Sequence, residues 1–389
     1  VDVSLPHLDR PFEYLVPESL AEAAVPGCRV RVRFSGRLTG GYLLRRTAES
    51  EHQGQLGYLE RVVSPEPVLT PEIAGLARAV ADRYGGTLAD VLRLAIPPRH
   101  AAAEAAAPRE NPAPAASAPS TPADETAPST PAAEAAPSAA AGPAASAVRP
   151  ARPEPSPPGS WARYPTGPSF LAALAEGRAP RAVWSALPGG QWPAEIAAAA
   201  AAAARAGRGV VVIVPDARDL ARVDTALTAA LGPAAHVVLA ASLGPAERYR
   251  RWLAAARGQV AVVAGTRSAM FAPVRDLGLV VLWDEGDDSL AEPRAPYPHA
   301  REVLALRAHR GGAAALIGGF ARTAEAAQLV TAGWARRLEA QRATVRRFAP
   351  AVTAAGDDSE LARDEAARTA RLPSLALRTA REALARGPV

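Results

Sequence analysis

The chain has 389 residues, a formal net charge of +5 and a pI near 9.8. That length accommodates two or three domains with a sizeable core, and so small a basic excess does not by itself imply nucleic acid. One cysteine, Cys28, excludes a disulfide framework and a cysteine-based zinc site within these residues, and the six histidines show no metal-ligand spacing.

Every basic side chain is arginine, because lysine does not occur. Arginine suits phosphate contact, since its planar fork donates bidentately. No signal peptide is visible and no apolar run approaches the ~20 residues that span a bilayer, so a cytoplasmic protein without a membrane partner is expected. The missing initial Met and the ending Gly387-Pro388-Val389 suggest a piece of a longer protein.

Residues 1–100 read as a small β-rich domain followed by two helices. The β-prone runs are Val1–Leu5, Phe12–Val16, Arg29–Phe34, Gly41–Leu44 and Leu59–Val63. In Arg29–Phe34 a period of two puts Val30, Val32 and Phe34 on a core face and Arg29, Arg31 and Arg33 on the other. Those arginines are either a solvated sheet face or a phosphate-facing row. Ile73, Leu76, Ala77, Val80 and Tyr84 then fall at helical spacing after Pro71, and Leu88–Ile96 forms a second helix that Pro97-Pro98 stops.

Residues 101–160 are almost entirely Ala, Pro, Ser, Thr and Glu. Such a segment buries too little apolar surface to offset the entropy of ordering it, and a disordered tether is expected. The tether would let the ordered parts on either side grip separate arms of one ligand. From 161 to 348 strands and helices alternate and the strands are near-continuously apolar, which predicts a parallel α/β sheet. Val260–Ala264 leads into Gly265-Thr266-Arg267-Ser268, and Leu279–Trp283 ends directly on Asp284-Glu285. An apolar strand stopping at Asp-Glu is how a P-loop NTPase presents its metal-holding acid. Residues 349–389 read as a helical connector.

Several blocks in one order resemble the bacterial replication-restart helicase family PriA (primosomal protein N-prime). They are Phe12-Glu13-Tyr14-Leu15-Val16-Pro17, Gly27-Cys28-Arg29-Val30-Arg31-Val32, Val214-Pro215, Glu247-Arg248 with Trp252, Gly265-Thr266-Arg267-Ser268-Ala269-Met270-Phe271-Ala272-Pro273, Leu277-Gly278-Leu279, Asp284-Glu285 and His299-Ala300-Arg301 with Arg307-Ala308. The resemblance covers 1–100 and 165–330, and it implies that the second region is a P-loop (RecA-like) helicase lobe. It implies that residues 1–100 bind the 3′ end of a nascent leading strand, with Phe12, Glu13 and Tyr14 at the pocket and Arg29, Arg31 and Arg33 beside it. Glu13 stands where the family has Asp, and a family lysine aligns near Gly57. Thr266 and Arg267 would touch the DNA backbone, the alternative being that Arg267 pairs with an acid such as Asp276. The family's winged-helix domain has no counterpart, because the Ala/Pro segment takes its place. The family's zinc module and second helicase lobe would lie past Val389, so no cofactor is expected within these residues.

The family's nucleotide motifs are degenerate here. Its Gly-x-Thr-Gly-Ser-Gly-Lys-Thr-Glu loop corresponds to Leu187-Pro188-Gly189-Gly190-Gln191-Trp192-Pro193-Ala194-Glu195, without the lysine that reaches phosphate or the hydroxyl that holds Mg²⁺. Asp-Glu-Glu-His corresponds to Asp284-Glu285-Gly286-Asp287, and Gly-Ser-Ala-Thr-Pro to Gly318-Gly319-Phe320-Ala321-Arg322. Gly189, Gly190, Trp192, Asp284 and Glu285 therefore read as a vestigial nucleotide site with no catalytic residue, no metal and doubtful ATP binding. The expectation is a monomeric, helicase-dead member of the family's high-GC branch. Its implied partners are forked DNA with a nascent 3′ end, primosome proteins, the replicative helicase or its loader, and single-strand binding protein. An active 3′-to-5′ helicase with an unorthodox phosphate loop and a scaffold that binds proteins only are the alternatives.

Overall fold

The computed structural model describes residues 1–50, 52–106, 159–240, 242–350, 352, 362 and 372–385. The expected tether therefore lies mostly outside the described residues. Its first residues do not, since Ala101–Ala105 form a short helix.

Near the amino terminus, β1 (Arg29–Phe34) pairs antiparallel with β2 (Arg37–Tyr42) and β3 (Leu59–Ser64), in the order β2-β1-β3. Ser35 and Gly36 join β1 to β2 with positive φ at both, the geometry a two-residue hairpin needs to match strand twist. Val30, Val32, Leu59, Cys28 and Ala24 form the small core beneath this sheet. Two expected strands are absent. Val1–Leu5 is not a strand, and Phe12–Val16 contributes a single bridge, Leu15 to Tyr58. Each run touches the sheet at an edge, Asp2 N–H donating to the Gly40 carbonyl and Leu15 bridging Tyr58, but propensity alone does not make a strand. Helix α1 (Pro71–Tyr84) starts where the Thr70 side chain accepts the Ile73 N–H, and it stops at Gly85. Helix α2 (Leu88–Ala95) is capped by Thr87 in the same way, and Ala101–Ala105 is α3.

The second part follows the expected alternation. Between α4 (Gly167–Ala175) and α9 (Ala324–Thr331) run β4 (Arg181–Ser185), α5 (Trp192–Arg205), β5 (Gly209–Ile213), α6 (Ala217–Leu231), β6 (His236–Leu239), α7 (Pro245–Ala256), β7 (Val262–Gly265), β8 (Leu277–Trp283), α8 (Ala300–Arg310) and β9 (Ala314–Gly319). With β10 (Arg336–Glu339) they make a seven-stranded parallel sheet in the order β10-β4-β9-β8-β5-β7-β6. The central strands β5 and β8 are buried along their whole length, which is why they read as continuous apolar runs.

The two parts are one compact unit covering Val1–Ala186 and Gly190–Ala340. This corrects the expectation of two tethered grips. Ile73, Leu76, Val80 and Leu92 share a single core with Trp252, Phe271, Val280 and Leu304. Ion pairs close the contact. Arg257 grips Glu66 with two hydrogen bonds of 3.0 and 2.9 Å and also donates to the Glu104 carbonyl. The fully buried Arg307 donates to the Glu72 carboxylate at 2.9 and 3.2 Å and to the carbonyls of Met270 and Ala272 at 2.9 and 2.8 Å. A guanidinium so placed satisfies its fork on three sides, which a buried charge requires.

A second unit comprises Leu187–Gly189 and Gln341–Val389, so the lobe's unit ends at Ala340 rather than 348. Its described helices are α10 (Arg342–Phe348) and α11 (Ser374–Leu384). No helix among the described residues is long and apolar enough to cross a membrane.

Candidate nucleic-acid interface and the nucleotide edge of the sheet

Phe12, Glu13 and Tyr14 lie alongside the start of β3, held by Leu15 N–H to the Gly57 carbonyl and Leu59 N–H to the Leu15 carbonyl, both at 2.9 Å. Extended backbone alternates its side chains. Phe12 and Tyr14 are half-buried, while Glu13 and Leu15 face solvent. Phe12 packs edge-on against Phe34 with centroids 4.8 Å apart, and Tyr14 donates to the Arg33 carbonyl at 3.3 Å. Burial raises the Tyr14 pKa, so the phenol stays a donor. The exposed Glu13 carboxylate accepts from Ser50. Gly57 brings its backbone against the Tyr14 ring, which a built Cβ would meet at 3.6 Å.

The three arginines of β1 have different surroundings. Arg29 donates to the Tyr42 hydroxyl and the Pro97 carbonyl, which fastens β1 to the end of α2. Arg33 pairs with Glu60 at 2.8 Å, both side chains being well exposed. Such a pair is worth at most about 1 kcal/mol and opens easily. Arg31 is exposed and has no side-chain partner among the described residues. Sequence reasoning missed Tyr58, a 63% exposed aromatic directly beside Leu15. Its signal was an aromatic next to Gly57, legible only once the bridge to Leu15 is known.

In the other part, Thr266 and Arg267 follow β7, with Thr266 preceding a single 3-10 turn. Arg267 donates to the Ser289 carbonyl at 2.6 Å and reaches Glu292 at 3.4 Å. Its acidic partner is thus Glu292 and not Asp276. Burial opposes ionisation of Glu292, but the hydrogen bond and charge of Arg294, with the charge of Arg267, hold its pKa below the usual range. Arg267 keeps about a third of its side chain exposed.

The edge where a nucleotide would bind is filled. Trp192, the first residue of α5, lies flat on Trp283, the last residue of β8, with centroids 4.1 Å apart and planes 7° from parallel. Phe320 meets Trp283 edge-on at 5.2 Å, Trp184 packs at 5.5 Å and Trp161 follows at 5.3 Å. Each of the three degenerate motifs therefore supplies or adjoins one ring of a single cluster. Four of the chain's six tryptophans are in it, and each aromatic contact adds about 0.5–1.5 kcal/mol beyond area burial. A helix amino terminus commonly offers its free N–H groups to phosphate, but Pro193 follows Trp192 here and an indole covers the start of α5.

The carboxylates of this edge are also committed. Glu285, 1% exposed, accepts from Arg301 at 2.7 Å and from the Thr323 N–H and hydroxyl at 2.9 Å each. It thereby ties α8 to the cap of α9. A Cβ on Gly286 would come within 2.8 Å of the Thr323 methyl, so a third carboxylate residue fits poorly there. Asp284 has a left-handed φ of 49°. Burial, then Asp287, Asp219 and Glu285, raise its pKa. Asp219 is raised likewise by burial and Asp216, although the Trp283 indole bonds it. Glu195, in the position of the phosphate loop's final Glu, is buried against Trp161 and Tyr164, and burial raises its pKa. Among the described residues no group of His, Cys, Asp or Glu is arranged to hold a metal ion. These residues do not fit a Mg²⁺-nucleotide.

Residues 1–97 match the family model described as the 3′DNA-binding domain (3′BD) of PriA. The chain is 53% identical over 388 residues to the probable replication restart protein PriA of Mycobacterium tuberculosis, covering 99% of this chain and 53% of that protein. It is 52% identical to the Mycobacterium leprae protein of the same name over 99% of this chain and 54% of the other, and 33% identical over 88 residues to that of Bacillus subtilis, 23% of this chain and 11% of the other. It thus spans about half the length of the mycobacterial proteins. A solved structure of the E. coli DExH-box NTPase HrpB overlaps 39% of this chain and 20% of its own at 19% identity, with a TM-score of 0.28, too loose a likeness to argue from. The chain belongs to the PriA family of replication restart proteins and carries that family's 3′ DNA-binding domain.

Proposed function

We propose that this protein recognises abandoned replication forks by the 3′ end of the nascent strand and promotes primosome assembly and helicase reloading without unwinding DNA by ATP hydrolysis. The observation that carries the reading is the Trp192–Trp283 stack, which occupies the place where a phosphate loop would hold its ligand. Lysine is lacking throughout this sequence, so the phosphate loop's own lysine, which neutralises a transferring phosphoryl group, has no lysine substitute in it. At the other site, Glu13 offers an exposed carboxylate next to half-buried aromatic rings, a combination suited to a terminal hydroxyl and a base edge.

Two measurements test this. DNA-stimulated ATP hydrolysis by the full-length protein is expected at background, and turnover of even ~1 per second, an ordinary enzyme rate, overturns the helicase-dead reading. Forks ending in a 3′-hydroxyl are expected to bind more tightly than forks blocked by a 3′-phosphate. Glu13→Ala should lose that preference by about tenfold, the value of one hydrogen bond to a charged group. Equal binding of both forks by the wild type would remove the end-recognition reading, and binding of neither would leave a scaffold that binds proteins.

A further inference from the structure

We infer that Arg31 and Arg61 form a phosphate-binding strip that tracks the backbone of the strand leading to the 3′ end, across the outer face of β1 and β3. The inference rests on the reading of residues 1–97 as a DNA-binding domain. In the register of the sheet, Arg31 lies directly opposite Arg61 on one side and Gly40 on the other. Residues opposite each other in an antiparallel pair share a face, with Cβ atoms about 5 Å apart. Both arginines are exposed, and neither has an ion pair or side-chain hydrogen bond among the described residues. Like charges directly opposed destabilise a sheet. A carboxylate across from Arg31 would instead have stabilised the pair. The one carboxylate close by in sequence, Glu60, is committed to Arg33.

The local geometry fits the role. The pairing skips Glu60, so Arg61 stays in step with Arg31 while the strand shifts around it. Gly40 leaves the far side of Arg31 bare, and a Cβ built there meets nothing within 4 Å. A backbone can therefore approach the guanidinium without crossing a side chain. Glu13 and Leu15 emerge on the exposed side of the neighbouring segment, bound to the start of β3. The proposed end-binding turn and the two arginines thus border the same strand, β3. Paired guanidinium groups with a bare floor suit a row of phosphates and carry no base preference.

The test is a salt series with the 389-residue chain. A labelled single strand ending in a 3′-hydroxyl and the same strand ending in a 3′-phosphate are titrated by fluorescence anisotropy. For single strands each neutralised phosphate contributes about 0.7 to the slope of log K against log salt. Arg31→Ala/Arg61→Ala is expected to flatten that slope by about 1.4 and to weaken both strands about tenfold, with the ratio between the two ends unchanged. Arg31→Lys/Arg61→Lys should restore the slope, which excludes misfolding as the cause. Gly40→Glu, which sets a carboxylate beside Arg31, should weaken both strands in the same direction. An unchanged slope in the double alanine variant overturns the strip, as does a loss confined to the 3′-hydroxyl strand. If instead the wild type does not distinguish the two ends, the end-binding reading fails while the slope comparison still decides the strip.

Discussion

The outer face of the three-stranded sheet and the nucleotide edge of the seven-stranded sheet treat their polar groups in opposite ways. On the first, Arg31 and Arg61 face each other exposed and without a partner among the described residues, and Arg33 is held there by an exposed ion pair. On the second, Glu285 has both oxygens engaged by Arg301 and Thr323, and the indoles of Trp192 and Trp283 are stacked out of solvent. A surface meant for a ligand must leave charge uncompensated until the ligand arrives, and it loses stability by doing so. An edge released from ligand binding can fill its space and satisfy its charges, and it gains stability. On the proposed function, the second region shows what happens to a nucleotide site once nothing selects for empty space in it.

That contrast is broken most directly at Trp192. Trp192→Ala removes a 2% exposed indole from the centre of the aromatic cluster. The loss should be about 3–5 kcal/mol, the usual cost of truncating a large buried aromatic, read as a lowered midpoint in chemical denaturation. If the cluster were a movable cover over a working nucleotide site, the variant would instead keep its stability and gain nucleotide affinity, which equilibrium binding of a fluorescent ATP analogue would detect.

Glu285→Gln sharpens the same point from the charged side. The amide can still bond Thr323, but it leaves Arg301, whose side chain is 8% exposed, without its buried countercharge. Breaking a buried pair from one side costs about 3 kcal/mol or more. The expected outcome is that loss of stability with DNA affinity unchanged at a temperature where the variant stays folded. A metal-holding role for Glu285 predicts the reverse, namely little change in stability and a loss of activity.

Much of this fold was legible in the sequence, for particular reasons. The parallel sheet could be read because its inner strands are buried on both faces, so Gly209–Ile213 and Leu277–Trp283 are unbroken apolar runs. Strand Arg336–Glu339 was not read, because at the sheet edge only Leu338 is buried and the other three residues are charged and exposed. The erosion of the nucleotide motifs was visible one motif at a time. That Trp192, Trp283 and Phe320 meet was not, since nothing local in the sequence links residues so far apart. The docking of the amino-terminal domain was hidden more thoroughly. A long Ala/Pro segment spells separation, whereas the contact is made by Glu66, Glu72 and Glu104 with Arg257, Arg307 and Tyr249, each of which reads alone as an ordinary surface residue. Likewise the period of two placed three arginines on one face, but their partners decide which is free, and partners come from register.

The smallest expected effect tests the contrast best, because its sign differs between the two kinds of site. Asp284 sits among Asp287, Asp219, Glu285 and Asp216, and burial together with these charges raises its pKa above the usual carboxylate value. A carboxyl whose pKa is higher folded than unfolded opposes folding once it ionises. Its favourable contribution is fully present below the unfolded value and is lost as pH rises through the folded one. Near pH 7 the charge is therefore a burden unless a cation or a nucleotide's metal offsets it. Asp284→Asn should raise stability near neutral pH by about 0.5–1 kcal/mol, discounted for partial exposure, and the gain should vanish as pH falls through the carboxylate range. Denaturation midpoints of the two proteins between pH 4 and pH 8 measure this. A destabilised Asn variant would mean that the Asp284 charge has a partner in the working protein, and the nucleotide edge would then resemble the arginine face, holding charge in reserve for a ligand.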